Sequence, residues 1–79
     1  GTPPPNAYAF GTVLVKAGTT GEACKAWQIF FNTKFGAKLA PDGICGPLTI
    51  AVAKAWQASV GLAADGLLGP MSRAKAMMQ

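Results

Sequence analysis

Seventy-nine residues make one domain, near the lower size limit for a self-sufficient core. With 51% apolar and 13% charged residues the chain is neither a disordered tail nor a charge-rich coiled coil. The net charge is +4, but Lys16, Lys25, Lys34, Lys38, Lys54, Arg73 and Lys75 form no basic run, which argues against a nucleic-acid partner.

The opening Gly1-Thr2-Pro3-Pro4-Pro5-Asn6 is stiffened towards polyproline II. Residues 1–9 therefore read as a Pro-rich linker or cloning remnant, and residues 10–79 as the domain. No apolar run approaches the ~20 residues of a membrane span. No signal peptide opens the chain, so any export signal is expected to have been removed or to lie outside it.

Tyr8 to Val15 is an apolar stretch expected to run extended across the helices that follow. Thr19 and Glu22 have capping-box spacing and predict the start of a first helix. That helix runs to about Lys34, with Gly36 as a left-handed terminator. Apolar residues at 24, 27, 31 and 35, or at 23, 27 and 30, give it one broad face. A second helix opens at Gly46-Pro47, where proline at the first helical position loses nothing by lacking an N–H. Leu48, Val52, Ala55, Trp56 and Val60 follow at helical spacing, and Gly61 ends it. A third opens at Gly69-Pro70 with Met71, Ala74 and Met77 or Met78. The predicted architecture is all-α: a compact three-helix bundle with an extended N-terminal segment.

The chain also resembles itself. Cys24-Lys25-Ala26-Trp27-Gln28 recurs as Ala53-Lys54-Ala55-Trp56-Gln57, and Asp42-Gly43-Ile44-Cys45-Gly46-Pro47-Leu48-Thr49 as Asp65-Gly66-Leu67-Leu68-Gly69-Pro70-Met71-Ser72. Asp42 lies fourteen residues after Gln28 and Asp65 eight after Gln57, so the first copy carries six extra residues around Lys34 to Lys38. The bundle is thus an internal helix-loop-turn repeat. Pro41-Asp42-Gly43 is a tight-turn signature, with Asp bonding nearby N–H groups and Gly taking positive φ. Thr49 and Ser72 stand in first helical turns, within reach of backbone N–H groups or the turn aspartate.

Catalytic chemistry has little to work with. There is no histidine, which removes the commonest general base and zinc ligand. Two cysteines alone make no zinc site, and their spacing is far from Cys-x-x-Cys. The acids are Glu22 and the turn residues Asp42 and Asp65, too sparse for a calcium loop. No enzyme, metal site or cofactor is expected. Trp27 and Trp56 sit at the centre of apolar helix faces and read as core rather than as a sugar platform. Gln28 and Gln57 are expected to bond loop backbone, and Met71, Met77 and Met78 to fill gaps.

In order and spacing these residues resemble the peptidoglycan-binding domain family of bacterial and phage wall hydrolases. The family's first run matches Val15, Gly18, Gly21, Cys24 and Trp27-Gln28. The second matches Asp42-Gly43-Ile44-Cys45-Gly46-Pro47-Leu48-Thr49, Ala51-Val52 and Trp56-Gln57, and Gly61-Leu62 and Asp65-Gly66 to Ser72 close the pattern. The resemblance covers about Val15 to Gln79. It implies a three-helix, non-catalytic module in an exported protein. Such a module anchors an attached domain, here through the N-terminal linker, to peptidoglycan by its stem peptide or glycan. The implied setting is extracytoplasmic (periplasm, cell wall or secreted), with a phage origin possible and a monomer expected. The alternative is a structural or protein-interaction module of an exported assembly or virion that keeps the fold without wall binding.

Two departures from the family are both to cysteine: Cys45 for the usual aromatic and Cys24 for an inward aliphatic. That paired departure suggests a Cys24–Cys45 disulfide. The connection from Phe35 to Gly46 can reach ~40 Å, against ~22 Å for a helix of about fifteen residues, so the chain can bring them together. For the ligand, a groove beside the turns is expected, with Lys38 and Arg73, and Lys25 beside them, supplying charge and Asp42, Gly43, Thr49 and Asp65 hydrogen bonds.

Overall fold

The computed structural model describes residue 10 and residues 14–78. The expected linker over 1–9, Tyr8 included, lies outside the described residues. The helices are α1 (Glu22–Lys34), α2 (Pro47–Ser59) and α3 (Pro70–Met77), with no strand among the described residues. No helix is long and apolar enough to cross a membrane.

The segment before α1 is stitched to both turns. Val15 and Leu68 exchange backbone bonds of 3.3 and 2.8 Å, and Thr20 faces Ile44 in a second antiparallel bridge. Around the latter, the Gly18 N–H donates to Cys45 O, Cys45 N–H to Thr19 O and Gly21 N–H to Gly43 O, each at 2.9 Å. Gly43 explains why this approach is so close: its φ is +77°, and a Cβ there would stand 3.0 Å from the Gly21 carbonyl oxygen.

The core is aromatic. Phe10 stacks on Trp27 with centroids 4.0 Å apart, and Trp56 packs against Trp27, Phe30 and Phe31 at 5.4–5.7 Å. Both tryptophans are buried, as their position in the sequence pattern implies. An alanine-rich chain has few other large side chains, so these rings supply most of the buried apolar volume.

Several local expectations change. No side chain caps α1: Gly21 is its N-cap, and the Thr19 hydroxyl instead accepts the Lys16 N–H at 3.0 Å. Phe35 is the C-cap and 39% exposed, not part of the inner face. Leu48 on α2 is 78% exposed and Met71 on α3 is 73% exposed. The buried residues of α2 are Thr49, Ala53, Trp56 and Gln57, and those of α3 are Ser72 and Ala76. Polar side chains face inward at the helix starts, which rotates each helix relative to the purely apolar reading.

The reason is a pair of buried amides. The two hydrogens of Gln28 Nε2 are shared among three acceptors, Asp42 Oδ1 (3.1 Å), Ile44 O (2.8 Å) and Thr49 Oγ1 (3.1 Å), and its Oε1 accepts the Gly43 N–H (2.9 Å). Gln57 does the same with Asp65 Oδ1 (3.3 Å), Leu67 O (3.0 Å), Ser72 Oγ (3.2 Å) and the Gly66 N–H (2.9 Å). Each amide therefore ties its helix to the next turn and to the start of the next helix. Asn32 adds a clasp on the longer loop, donating to Leu39 O and accepting its N–H, both at 2.8 Å.

Cys24 and Cys45 are buried free thiols, rather than the expected disulfide. They meet on one acceptor: the Thr19 carbonyl oxygen takes the Cys24 thiol proton at 3.0 Å and the Cys45 N–H at 2.9 Å. Burial pushes the Cys45 thiol up to about 12, with the adjacent Cys24 thiol adding to the shift. It is therefore protonated at neutral pH and a poor nucleophile.

Two outcomes follow for thermal or urea melts. Replacing Trp27 or Trp56 with Ala should cost about 3–5 kcal/mol, much of the roughly 4–12 kcal/mol available to a chain this size; a variant that melts normally would refute the core assignment. Replacing Gln28 or Gln57 with Leu should also destabilise, by about 2–4 kcal/mol, because a turn N–H and a turn carbonyl lose the amide and the carboxylate loses one of its bonds. An unchanged midpoint in Gln28→Leu would show that water replaces the amide without loss.

Candidate functional site

Each glutamine frame forms the floor of an open cleft. The first, about 220 Å³, has Gln28, Asp42 and Thr49 at its base, Leu39, Ile44 and Leu48 as walls and Lys38 on its rim. The second, about 270 Å³, has Gln57, Asp65 and Ser72 at its base and Leu62, Leu67 and Met71 as walls, with Leu14 closing one side. A larger hollow of about 600 Å³ beside Ala17, Cys45, Ile50 and Lys54 holds none of the expected ligand residues.

The expected set thus divides between two places. Lys38, Asp42 and Thr49 come together in the first cleft and Asp65 lies in the second. Gly43 is buried under the Gly21 carbonyl and lines neither; its N–H is taken by Gln28. Arg73 sits half-buried on α3, outside the lining of both clefts.

The carboxylates are held by the turns. Asp42 Oδ1 accepts the Ile44 N–H at 2.9 Å and Asp65 Oδ1 the Leu67 N–H at 2.9 Å. The Ile44 N–H and then the Gln28 amide hold the Asp42 carboxyl below its usual range, so it is an anion at neutral pH. In both residues the described bonds fall on Oδ1, which leaves Oδ2 able to accept from a ligand. The clefts can therefore accept N–H groups, cover small apolar groups and, in the first, pair an anion with the Lys38 ammonium.

Sequence reasoning did not single out the cleft walls. Ile44 and Leu67, expected in turns, and Leu48 and Met71, expected on helix faces, are all exposed. The available signal was their equivalence: Ile44 and Leu67, and Leu48 and Met71, hold the same places in the two copies. An apolar residue repeated at an exposed position is placed by something other than the core.

Among known proteins, no family model matches the chain. It is 46% identical over 57 residues to a zinc D-Ala-D-Ala carboxypeptidase of Streptomyces albus G, a match that covers 67% of this chain and 22% of the carboxypeptidase. Its structure matches a peptidoglycan-binding protein of Clostridioides difficile, solved in complex with glutamine hydroxamate. The TM-score is 0.76 at 32% identity, over 82% of this chain and 40% of that one. The chain therefore spans about a fifth to two fifths of the proteins it resembles. The ordered motif from Val15 to Ser72, the three-helix architecture and these two likenesses give the chain the fold and motif order of a peptidoglycan-binding domain.

Proposed function

We propose that this domain binds bacterial peptidoglycan without altering it, through the surface beside its two Asp-Gly turns. The observation that carries the reading is the first cleft, where the Lys38 ammonium and the Asp42 carboxylate border one apolar-walled hollow. The free carboxylate and amino groups of wall peptides carry the complementary charges. On this reading the domain works outside the cytoplasm as a monomer and holds an attached protein to the wall through residues 1–9. Asp42, Gly43, Thr49 and Asp65 shape the surface, and Lys38 and Arg73 supply positive charge.

Binding of this kind is weak by itself, about 10 μM to 1 mM, or roughly −4 to −7 kcal/mol. Attachment to a second wall-engaging domain raises the effective concentration enough to make it useful. The test is sedimentation with purified sacculi. The protein should pellet at low salt and progressively less as salt screens the cations. Lys38→Glu, at an exposed position, should lower the pelleted fraction at an unchanged melting temperature. Failure to pellet at low salt would favour the interaction-module alternative.

We also propose that Cys24 and Cys45 become disulfide-bonded when the domain is exported to an oxidising compartment. The support is that the Thr19 carbonyl oxygen accepts both the Cys24 thiol and the Cys45 backbone N–H, with the Cys24 thiol neighbouring that of Cys45. Closing a loop of about twenty residues should add about 3 kcal/mol on the chain-entropy model. Protein recovered from the periplasm should weigh two hydrogen atoms less than reduced protein and melt lower once reductant is added. Two alkylatable thiols in the exported, unfolded protein would refute the bond.

A further inference from the structure

The two clefts are built alike. Corresponding hydrogen bonds of the two frames differ by at most 0.2 Å: 3.1 and 3.3 Å to the aspartate, 2.8 and 3.0 Å to the turn carbonyl, 3.1 and 3.2 Å to the hydroxyl, and 2.9 Å in both from the turn glycine. Above each floor stand the same kinds of wall, Leu39, Ile44 and Leu48 in one and Leu62, Leu67 and Met71 in the other. They differ mainly at the rim, where the first has Lys38 and the second has Leu14.

We propose that the domain carries two separate sites for short, alanine-rich wall peptides, one in each cleft, and that only the first selects for a free carboxylate. This rests on the wall-binding reading above. The floor of each cleft offers a carboxylate oxygen for a peptide N–H. Beneath it lies a hydroxyl, Thr49 in one cleft and Ser72 in the other, bonded to the glutamine amide. The exposed aliphatic walls suit methyl side chains rather than flat sugar rings, and the tryptophans that could stack on a sugar are buried. A chain of small residues repeats N–H and methyl in that combination. Lys38 adds charge complementarity to a carboxylate in the first cleft, and the second has no cation among its lining residues. A wall carries many identical peptides, so two modest sites on one domain bind it more tightly than either alone.

The experiment titrates a soluble disaccharide-tetrapeptide wall fragment into isotope-labelled protein, with sacculus sedimentation run in parallel. Amide shifts are expected in both Ile44–Thr49 and Leu67–Ser72, with two fragments bound per domain at saturation. Added salt, or Lys38→Met, should weaken the first set and leave the second in place. Leu48→Gln should weaken the first site and Met71→Gln the second, each by about tenfold; both side chains are exposed, so the fold should tolerate the changes. Shifts confined to one cleft at one fragment per domain would overturn the two-site proposal. So would the absence of any shift in a protein that still sediments, and in both cases wall binding stands. A protein that neither shifts nor sediments would overturn wall binding as well.

Discussion

Two buried glutamine amides hold this domain in shape. An amide has two N–H donors and two acceptor lone pairs, and burying it without partners costs several kcal/mol. Gln28 and Gln57 meet that requirement by gathering the turn aspartate, a turn carbonyl, a turn N–H and the first hydroxyl of the following helix. The requirement propagates outward. The turn must carry a glycine so that its N–H can point inward, the next helix must begin with a small hydroxyl residue facing the amide, and the aspartate must bridge both. The recurring motif is a list of what one buried amide needs.

This also explains which parts of the fold were legible from residues alone. Helix starts at Gly46-Pro47 and Gly69-Pro70, and stops at Gly36 and Gly61, follow from backbone chemistry and match the structure. The inner faces of α2 and α3 differ from the apolar periodicity because that periodicity assumes an apolar interior. Thr49, Gln57 and Ser72 point inward to serve the amides, which turns Leu48 and Met71 to the surface. The capping box at Thr19 failed for a related reason. The segment around Thr19 is bonded to the first turn, so its hydroxyl serves a local Lys16 bond and its carbonyl serves two cysteines.

The candidate ligand residues were legible as a region rather than as a site. Lys38, Asp42 and Thr49 do share a cleft, but Asp65 belongs to its counterpart and Arg73 to neither. No local pattern records which wall of a turn faces outward, because that depends on how far each helix rotates about its amide. The packed rings beneath add little freedom. Trp27 has the rings of Phe10, Phe30, Phe31 and Trp56 at centroid distances of 4.0–5.7 Å, so the platform carrying both clefts is closely packed.

The Asn32 clasp has a consequence for how such a surface can vary. The same amide frame is closed by a fourteen-residue span in one half of the chain and by an eight-residue span in the other. Lengthening a flexible loop by that ratio costs only about 0.5 kcal/mol in closure entropy. Two bonds between the Asn32 side chain and the Leu39 backbone, each contributing about 1 kcal/mol, more than offset it. Loop length is therefore nearly free of thermodynamic constraint here, and the six extra residues that bring Lys38 to the rim could be acquired, exchanged or lost while the scaffold beneath stayed the same.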